Sequence, residues 1–170
     1  SVDVTADTAT HTCHTPDSKW SNCTPIIATD FVFVWQRAVK TDTAAKYEFL
    51  FFDIKNAKNI NHNQLPVVQL GINAVDDKTL AVQLDRPVPY FLSLTTFSTF
   101  LPLHEKDVKY QDDKYALEPS HLINNDAFTL DNWKHEKRCQ FKTNPNYWQA
   151  QTVKYEEINF NVVKYMSKKL

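Results

Sequence analysis

Apolar and polar positions recur along this chain with two periods, and the helical one is clearest from Phe31 onward. Phe31, Val34, Trp35, Ala38 and Val39 keep the i, i+3, i+4, i+7, i+8 spacing of a single helical face. Asp30 stands where a carboxylate meets the positive end of the helix dipole, while Arg37 and Lys40 stand near the negative end. Pro25 suits the run-in, where no amide donor is needed. A helix to about Lys40 is expected, with an aromatic face that must press onto another element. A second helix is expected over residues 43–60, with Tyr47, Leu50, Phe51, Ile54 and Ala57 on one face and Thr43 as its cap.

The two-residue period is strongest over residues 70–84. Leu70, Ile72 and Ala74 alternate with other residues, Asp76, Asp77 and Lys78 turn the chain, and Leu80, Val82 and Leu84 alternate again. Gly71 falls inside the first of these strands, where a glycine marks a bulge or a close backbone approach. Short strands are also expected near residues 2–5 and over 11–20, the latter broken at Pro16. Pro87 and Pro89 stop the sheet, and the apolar run 90–100 reads as a short helix packed on the hairpin. Residues 102–120 read as a charged surface segment with a loop at Gln111, Asp112 and Asp113. Residues 128–133 and 138–142 suggest another hairpin, the run NPNYW a turn, and Ile158, Phe160 and Val162 a last strand before a basic, weakly structured KYMSKKL terminus. The expected class is therefore α+β: a mixed, mainly antiparallel sheet with packed helices.

Composition narrows the function classes. Hydrophobic residues make up 42% and aromatics 13% of 170 residues, which suits a globular chain. A net charge of −1 offers no basic field for phosphate backbones, so no nucleic acid partner is expected. No apolar run reaches the roughly 18 residues that a membrane span needs. Residues 1–12 carry no charged n-region, apolar core or cleavage site, so no export signal is expected in them.

Candidate chemistry is sparse. A single glycine leaves no room for a nucleophile elbow or a phosphate-cradling loop. The acid pairs Asp76–Asp77, Asp112–Asp113 and Glu156–Glu157 sit in turn or surface contexts, where carboxylates serve backbone hydrogen bonds. His11, Cys13 and His14 offer zinc-ligand types, but on a strand His14 points away from the other two and no second pair has ligand spacing. His62, His104, His121 and His135 are scattered through polar segments and expected to face solvent. No enzyme activity, metal or cofactor is expected. Cys13, Cys23 and Cys139 are an odd number, so they cannot all pair with one another; a Cys13–Cys23 bridge requires the strand and turn to fold back, and isolated thiols are the simpler reading.

Four ordered motifs point further. Lys19, Trp20, Ser21, Asn22, Pro25, Ala28, Asp30, Phe31, Val32, Trp35, Gln36 and Arg37 are followed by LGINAVDDKTLAVQL at 70–84, PVPYF at 87–91 and NPNYW at 144–148. This series resembles the oligopeptide-binding proteins of peptide ABC importers, the extracellular solute-binding protein family 5. The resemblance implies a piece of a larger extracytoplasmic protein, cell-surface or periplasmic, from a family of lipoproteins with a two-lobed, periplasmic-binding-protein-like fold. It implies part of the first lobe: residues 1–125 as its small subdomain, with the 70–84 hairpin, and residues 126–170 as truncated strands returning toward the main lobe. The family captures oligopeptides and hands them to an ABC permease without chemistry of its own. Peptide binding by this piece alone is expected to be weak or absent. A drifted or truncated relative acting as an interaction protein is the alternative.

The resemblance also locates a candidate contact and the missing glycines. Tyr47 lies where the family's chain approaches the peptide cleft, offering a flat apolar face and a hydroxyl; a buried core tyrosine is the other reading. Cys23 stands where the family's Ser-Asn-Gly turn has glycine, and Asp126 near another glycine position, so Asn22 and Asn125 are expected to take the left-handed conformations. Ile27 stands where the family often has a capping Thr, with Thr29 or Thr24 as poor substitutes.

Overall fold

A computed structural model describes residues 1–5, 9–111 and 114–163. The loop read at Asp112–Asp113 and the KYMSKKL terminus lie outside the described residues. The chain forms two compact units: Ser1–Asp17 with Ile26–Glu105, and Ser18–Pro25 with Lys106–Leu170.

In the first unit, β1 (Val2–Val4), β2 (Thr10–His14), β3 (Ile72–Ala74) and β4 (Thr79–Gln83) form an antiparallel sheet in the order β1-β2-β4-β3. The β3–β4 turn closes as the alternation predicts. Asp76 accepts the backbone N–H of Lys78 at 2.8 Å, which holds its carboxyl below the usual carboxylate range. α1 (Ala28–Val39) lies over β3 and β4. Its face buries Val34, Trp35, Ala38 and Val39 against Leu80, Val82, Phe51, Phe91 and Phe100. The Trp35 indole meets Phe100 edge-on at 5.1 Å and donates its N–H to the Phe100 carbonyl at 3.0 Å. The helix start is capped from within. Ile27 has no side-chain acceptor, so buried Asp30 reaches back to the Ile27 N–H at 3.2 Å. Thr24 is engaged elsewhere, with the Asn22 side chain.

Gly71 sits just before β3, and its backbone is pinned on both sides. Its N–H donates to the Lys55 carbonyl and its carbonyl accepts from the Gln83 N–H, both at 2.8 Å. A Cβ here would lie 2.6 Å from the Gln83 carbonyl oxygen and 2.7 Å from the Lys55 Cβ. The only glycine of the chain thus serves close approach.

The long helix expected over 43–60 does not form. Short 3-10 turns at Thr41–Thr43 and Glu48–Phe51 lead to a five-residue helix, α2 (Ala57–Asn61). Between them the backbone bonds to the sheet instead: Ile54 bridges Leu84, and the Lys55 N–H donates to Gln83 at 2.9 Å. α3 (Phe91–Leu94) is the short helix expected after the prolines.

In the second unit, α4 (Glu105–Gln111) continues from the last residue of the first and buries Val108; this helix lies inside the segment read only as charged surface. β5 (Phe128–Lys134), β6 (Arg138–Thr143) and β7 (Glu157–Asn161) form a second antiparallel sheet in chain order. The turn at 20–24 encloses buried Trp20 and is held by the NPNYW segment. Buried Asn144 donates to the Asp126 carbonyl and accepts the Asn146 N–H, and Asn146 donates to the Ser21 carbonyl at 3.0 Å. Ser21 in turn donates its N–H to Asn124 at 2.7 Å. The chain just before residue 125 is thereby bonded to the 20–24 turn.

Cys23 itself takes the left-handed conformation (φ 69°), and neither Asn22 nor Asn125 does. The Asn22 side chain is occupied in accepting from Thr24. All three cysteines are free.

Trp35→Ala should lower the unfolding free energy by about 3–5 kcal/mol in denaturant titrations, since the indole is buried and its N–H is used. A loss under about 1 kcal/mol would contradict this packing. Cys23→Gly should raise it by roughly 1 kcal/mol under reducing conditions, because glycine removes the Cβ penalty at this φ. An equal or lower midpoint would count against that account.

Candidate functional site

The residues around Tyr47 are shaped by the failure of the helix there. Ala44 turns left-handed (φ 47°), and the chain then winds through the Glu48–Phe51 turn. A continuous helix would have placed Tyr47 on one face with Phe51 and Ile54. The broken path sends Phe51 and Ile54 fully into the core and leaves Tyr47 39% exposed. The reading of Tyr47 as a core tyrosine is excluded by this exposure.

Two further rings frame it. Phe97, after α3, meets Tyr47 edge-on with centroids 5.1 Å apart and is 40% exposed; Phe49 lies at 6.2 Å and is more exposed still. The Lys46 ammonium sits 5.8 Å from the Tyr47 ring centre. Among the described residues the Tyr47 hydroxyl has no hydrogen-bond partner. The patch thus combines apolar ring faces, one uncommitted hydroxyl and one cation, a mixture suited to side chains and backbone of an extended ligand. Phe49 and Phe97 were not singled out in sequence as partners of Tyr47; the aromatic run over 90–100 was the only signal.

Nearby, Asp53 is tied to Arg86 by two bonds, at 2.8 and 3.1 Å, and to the Tyr90 hydroxyl at 3.4 Å. This network fastens the turn to the end of β4. An open groove of ≈ 580 Å³ lies elsewhere in the first unit, lined by Lys55, Asn56, Gln69, Asn73 and Gln83 but not Tyr47. Lys55 spends its ammonium on the Gln83 side chain at 3.0 Å.

The histidine–cysteine group does not converge. His11 is 4% exposed and its ring lies tilted against Phe91 at 5.0 Å, with neither ring nitrogen bonded among the described residues. His14 is exposed and engages Asp3 and Thr79, both at 3.3 Å. The Cys13 thiol is pushed up by burial, which the N-terminal ammonium partly offsets. His62 and His135 face solvent as expected, whereas His104 and His121 are half-buried.

Comparison with known proteins returns one consistent answer. The family model described as "Bacterial extracellular solute-binding proteins, family 5 Middle" matches residues 1–169. The periplasmic oligopeptide-binding protein OppA of Escherichia coli K12 is 36% identical over 140 residues, covering 81% of this chain and 26% of that protein. A solved oligopeptide ABC transporter substrate-binding domain from Bacillus anthracis superposes with a TM-score of 0.93 at 47% identity, over 96% of this chain and 32% of that one. Listeria monocytogenes OppA, solved bound to peptide, superposes with a TM-score of 0.92 at 39% identity, over the same shares. This chain spans about a third or less of the length of these relatives.

His11→Phe should raise stability by about 1–3 kcal/mol, the cost of a buried polar group without a partner. Chemical denaturation at neutral pH measures it, and a destabilised variant would contradict the unpartnered placement of the ring.

Proposed function

The chain belongs to the family 5 bacterial extracellular solute-binding proteins, and on that premise we propose that it forms one wall of the ligand cleft in an oligopeptide-binding protein serving a peptide ABC importer, with Tyr47 as a peptide contact. The observation that carries this reading is the Tyr47 patch: an uncommitted hydroxyl and open ring faces, framed by Phe49 and Phe97.

On this reading the longer protein works outside the cytoplasm and passes oligopeptides to a permease. It uses no nucleic acid, and it binds and releases its cargo without chemistry. Among the described residues no helix is long and apolar enough to cross a membrane. Residues 1–125 are read as the small subdomain of the first lobe, and residues 126–170 as strands that return toward the main lobe. A second reading, a drifted relative acting as an interaction protein, is favoured by one observation. Cys23, Ala44, Ala116 and Glu136 occupy positive φ without being glycine, asparagine or aspartate.

Tight peptide binding by a two-lobed clamp depends on enclosure, which removes water from the ligand's backbone bonds. On one open wall each such bond contributes only about 0.5–1.5 kcal/mol. Two or three fall short of the roughly 8 kcal/mol that micromolar binding needs. Calorimetric titration of tri- to hexapeptides into the 170-residue chain should therefore show no saturable micromolar binding. In a full-length protein carrying this segment, binding should appear and Tyr47→Ala should weaken it about tenfold or more. Micromolar binding by the chain alone, abolished by Tyr47→Ala, would overturn the picture of a single wall. A full-length protein indifferent to peptides would favour the second reading.

A further inference from the structure

The face of the first sheet turned away from α1 is polar and hollow. Ile72, Leu80 and Val82 are buried on the α1 side, so Asn73, Ala81 and Gln83, which alternate with them, stand on the opposite face. Thr10 lies across from Gln83 on β2. The short side chain of Ala81 leaves a hollow among longer neighbours, and this is the open groove of ≈ 580 Å³, a size ordinary for a small-molecule site. Its rim is fixed by backbone bonds. Lys55 donates its N–H to the Gln83 carbonyl at 2.9 Å and accepts the Gly71 N–H at 2.8 Å. Asn56 holds a left-handed conformation (φ 66°) and donates its side-chain amide to the Gln69 carbonyl at 2.7 Å, tying the 67–69 turn to the same corner.

Charge in the groove is one-sided. Among the described residues Lys55 is the only charged side chain that lines it. Its ammonium rests on a neutral acceptor, the Gln83 side-chain oxygen at 3.0 Å, and no carboxylate of the described residues pairs with it. Beside it the side chains of Thr10, Gln69 and Asn73 make no hydrogen bond within the described residues. We propose that this groove binds a small hydroxylated carboxylate, of the sugar-acid class. One ammonium without a countercharge is a point charge that suits a single carboxylate, whereas a phosphate draws several donors or cations. Free amides and a hydroxyl both donate and accept, and so match ligand hydroxyls, which do the same. Val68, 75% exposed at the rim, offers an apolar flank to ring C–H groups. Neither half holds a ligand alone. An open ion pair contributes little in water, and an open amide merely exchanges water for a hydroxyl. Joined on one molecule, the two sets act together. Tyr47 does not line the groove, so the inference stands independently of the peptide contact.

Gly71 lies in the groove and is the only glycine of the chain. Cell-free synthesis with isotope-labelled glycine therefore yields one backbone amide signal, followed by NMR as glucuronate, glucose or acetate is added at constant pH and ionic strength. Glucuronate should move the signal saturably, with its midpoint at roughly 1–10 mM, as suits an open groove. Glucose and acetate should each need at least about tenfold more. Lys55→Gln should weaken the glucuronate response about tenfold; its side chain is exposed, so the core is untouched. Lys58→Gln, an exposed lysine outside the groove, should leave the response unchanged. The absence of a saturable shift with glucuronate would overturn the inference. So would an equal response to acetate or to glucose, or a glucuronate response that Lys55→Gln leaves intact.

Discussion

The burial of one indole organises the first unit. Trp35 projects from α1 into rings supplied by three separate segments: Phe51 from the broken turns, Phe91 from α3 and Phe100 beyond it. Its N–H would be costly to bury without a partner, and the Phe100 carbonyl provides one. That bond fixes where the chain after α3 must run. Because Phe100 also stacks on Phe51 at 4.2 Å, the turn at 48–51 is drawn to the same point. The exposure of Tyr47 follows: with Phe51 committed inward, the residues before it are left on the outer side of the turn.

The second constraint is the scarcity of glycine. One glycine in 170 residues is placed where no side chain fits, between Lys55 and Gln83, and none remains for the left-handed turns. Among the described residues those fall to six others, of which only Asn56 and Asn63 are of a type that tolerates the conformation well. Cys23 shows how such a turn is nonetheless held. The Trp20 carbonyl accepts its N–H at 2.9 Å, and the turn is anchored from outside by Asn146 and Asn124. Local strain persists because non-local hydrogen bonds over-determine the backbone.

Elements with their own period and turn chemistry were legible in the sequence. The Asp76–Lys78 hairpin and the 128–143 hairpin carry alternation and turn in the same short stretch, and α1 carries an unbroken helical stripe. The 43–60 segment was not, because its helical spacing competes with bonds to a strand distant in sequence. Ile54 pairs with Leu84, and Lys55 with Gln83, so tertiary pairing overrides local preference. α4 escaped notice since only Val108 among its residues is buried, leaving almost no apolar stripe. The 20–24 turn was readable, but not which residue would go left-handed; that depended on the Asn22 side chain being spent on Thr24. Tyr47 was readable as a candidate by resemblance. Its exposure and its framing by Phe97 were not, since both depend on where Trp35 draws the chain.

The two apolar surfaces differ in kind, and the difference bears on what each can hold. Around Tyr47 the rings are mixed with a hydroxyl and an ammonium, so a ligand docking there can exchange its water for specific bonds and later regain it. The sheet face bearing Phe141 and Phe160 is mainly apolar, with the Trp133 indole and the Cys139 thiol as its weak polar edges, so area and fit dominate any contact there. Area pays well when the partner is already tethered, because the translational entropy of association is not lost anew. A solute-binding protein must release its cargo while keeping its own layers together. A polar-edged aromatic patch suits the first demand, and an uncharged sheet face suits the second.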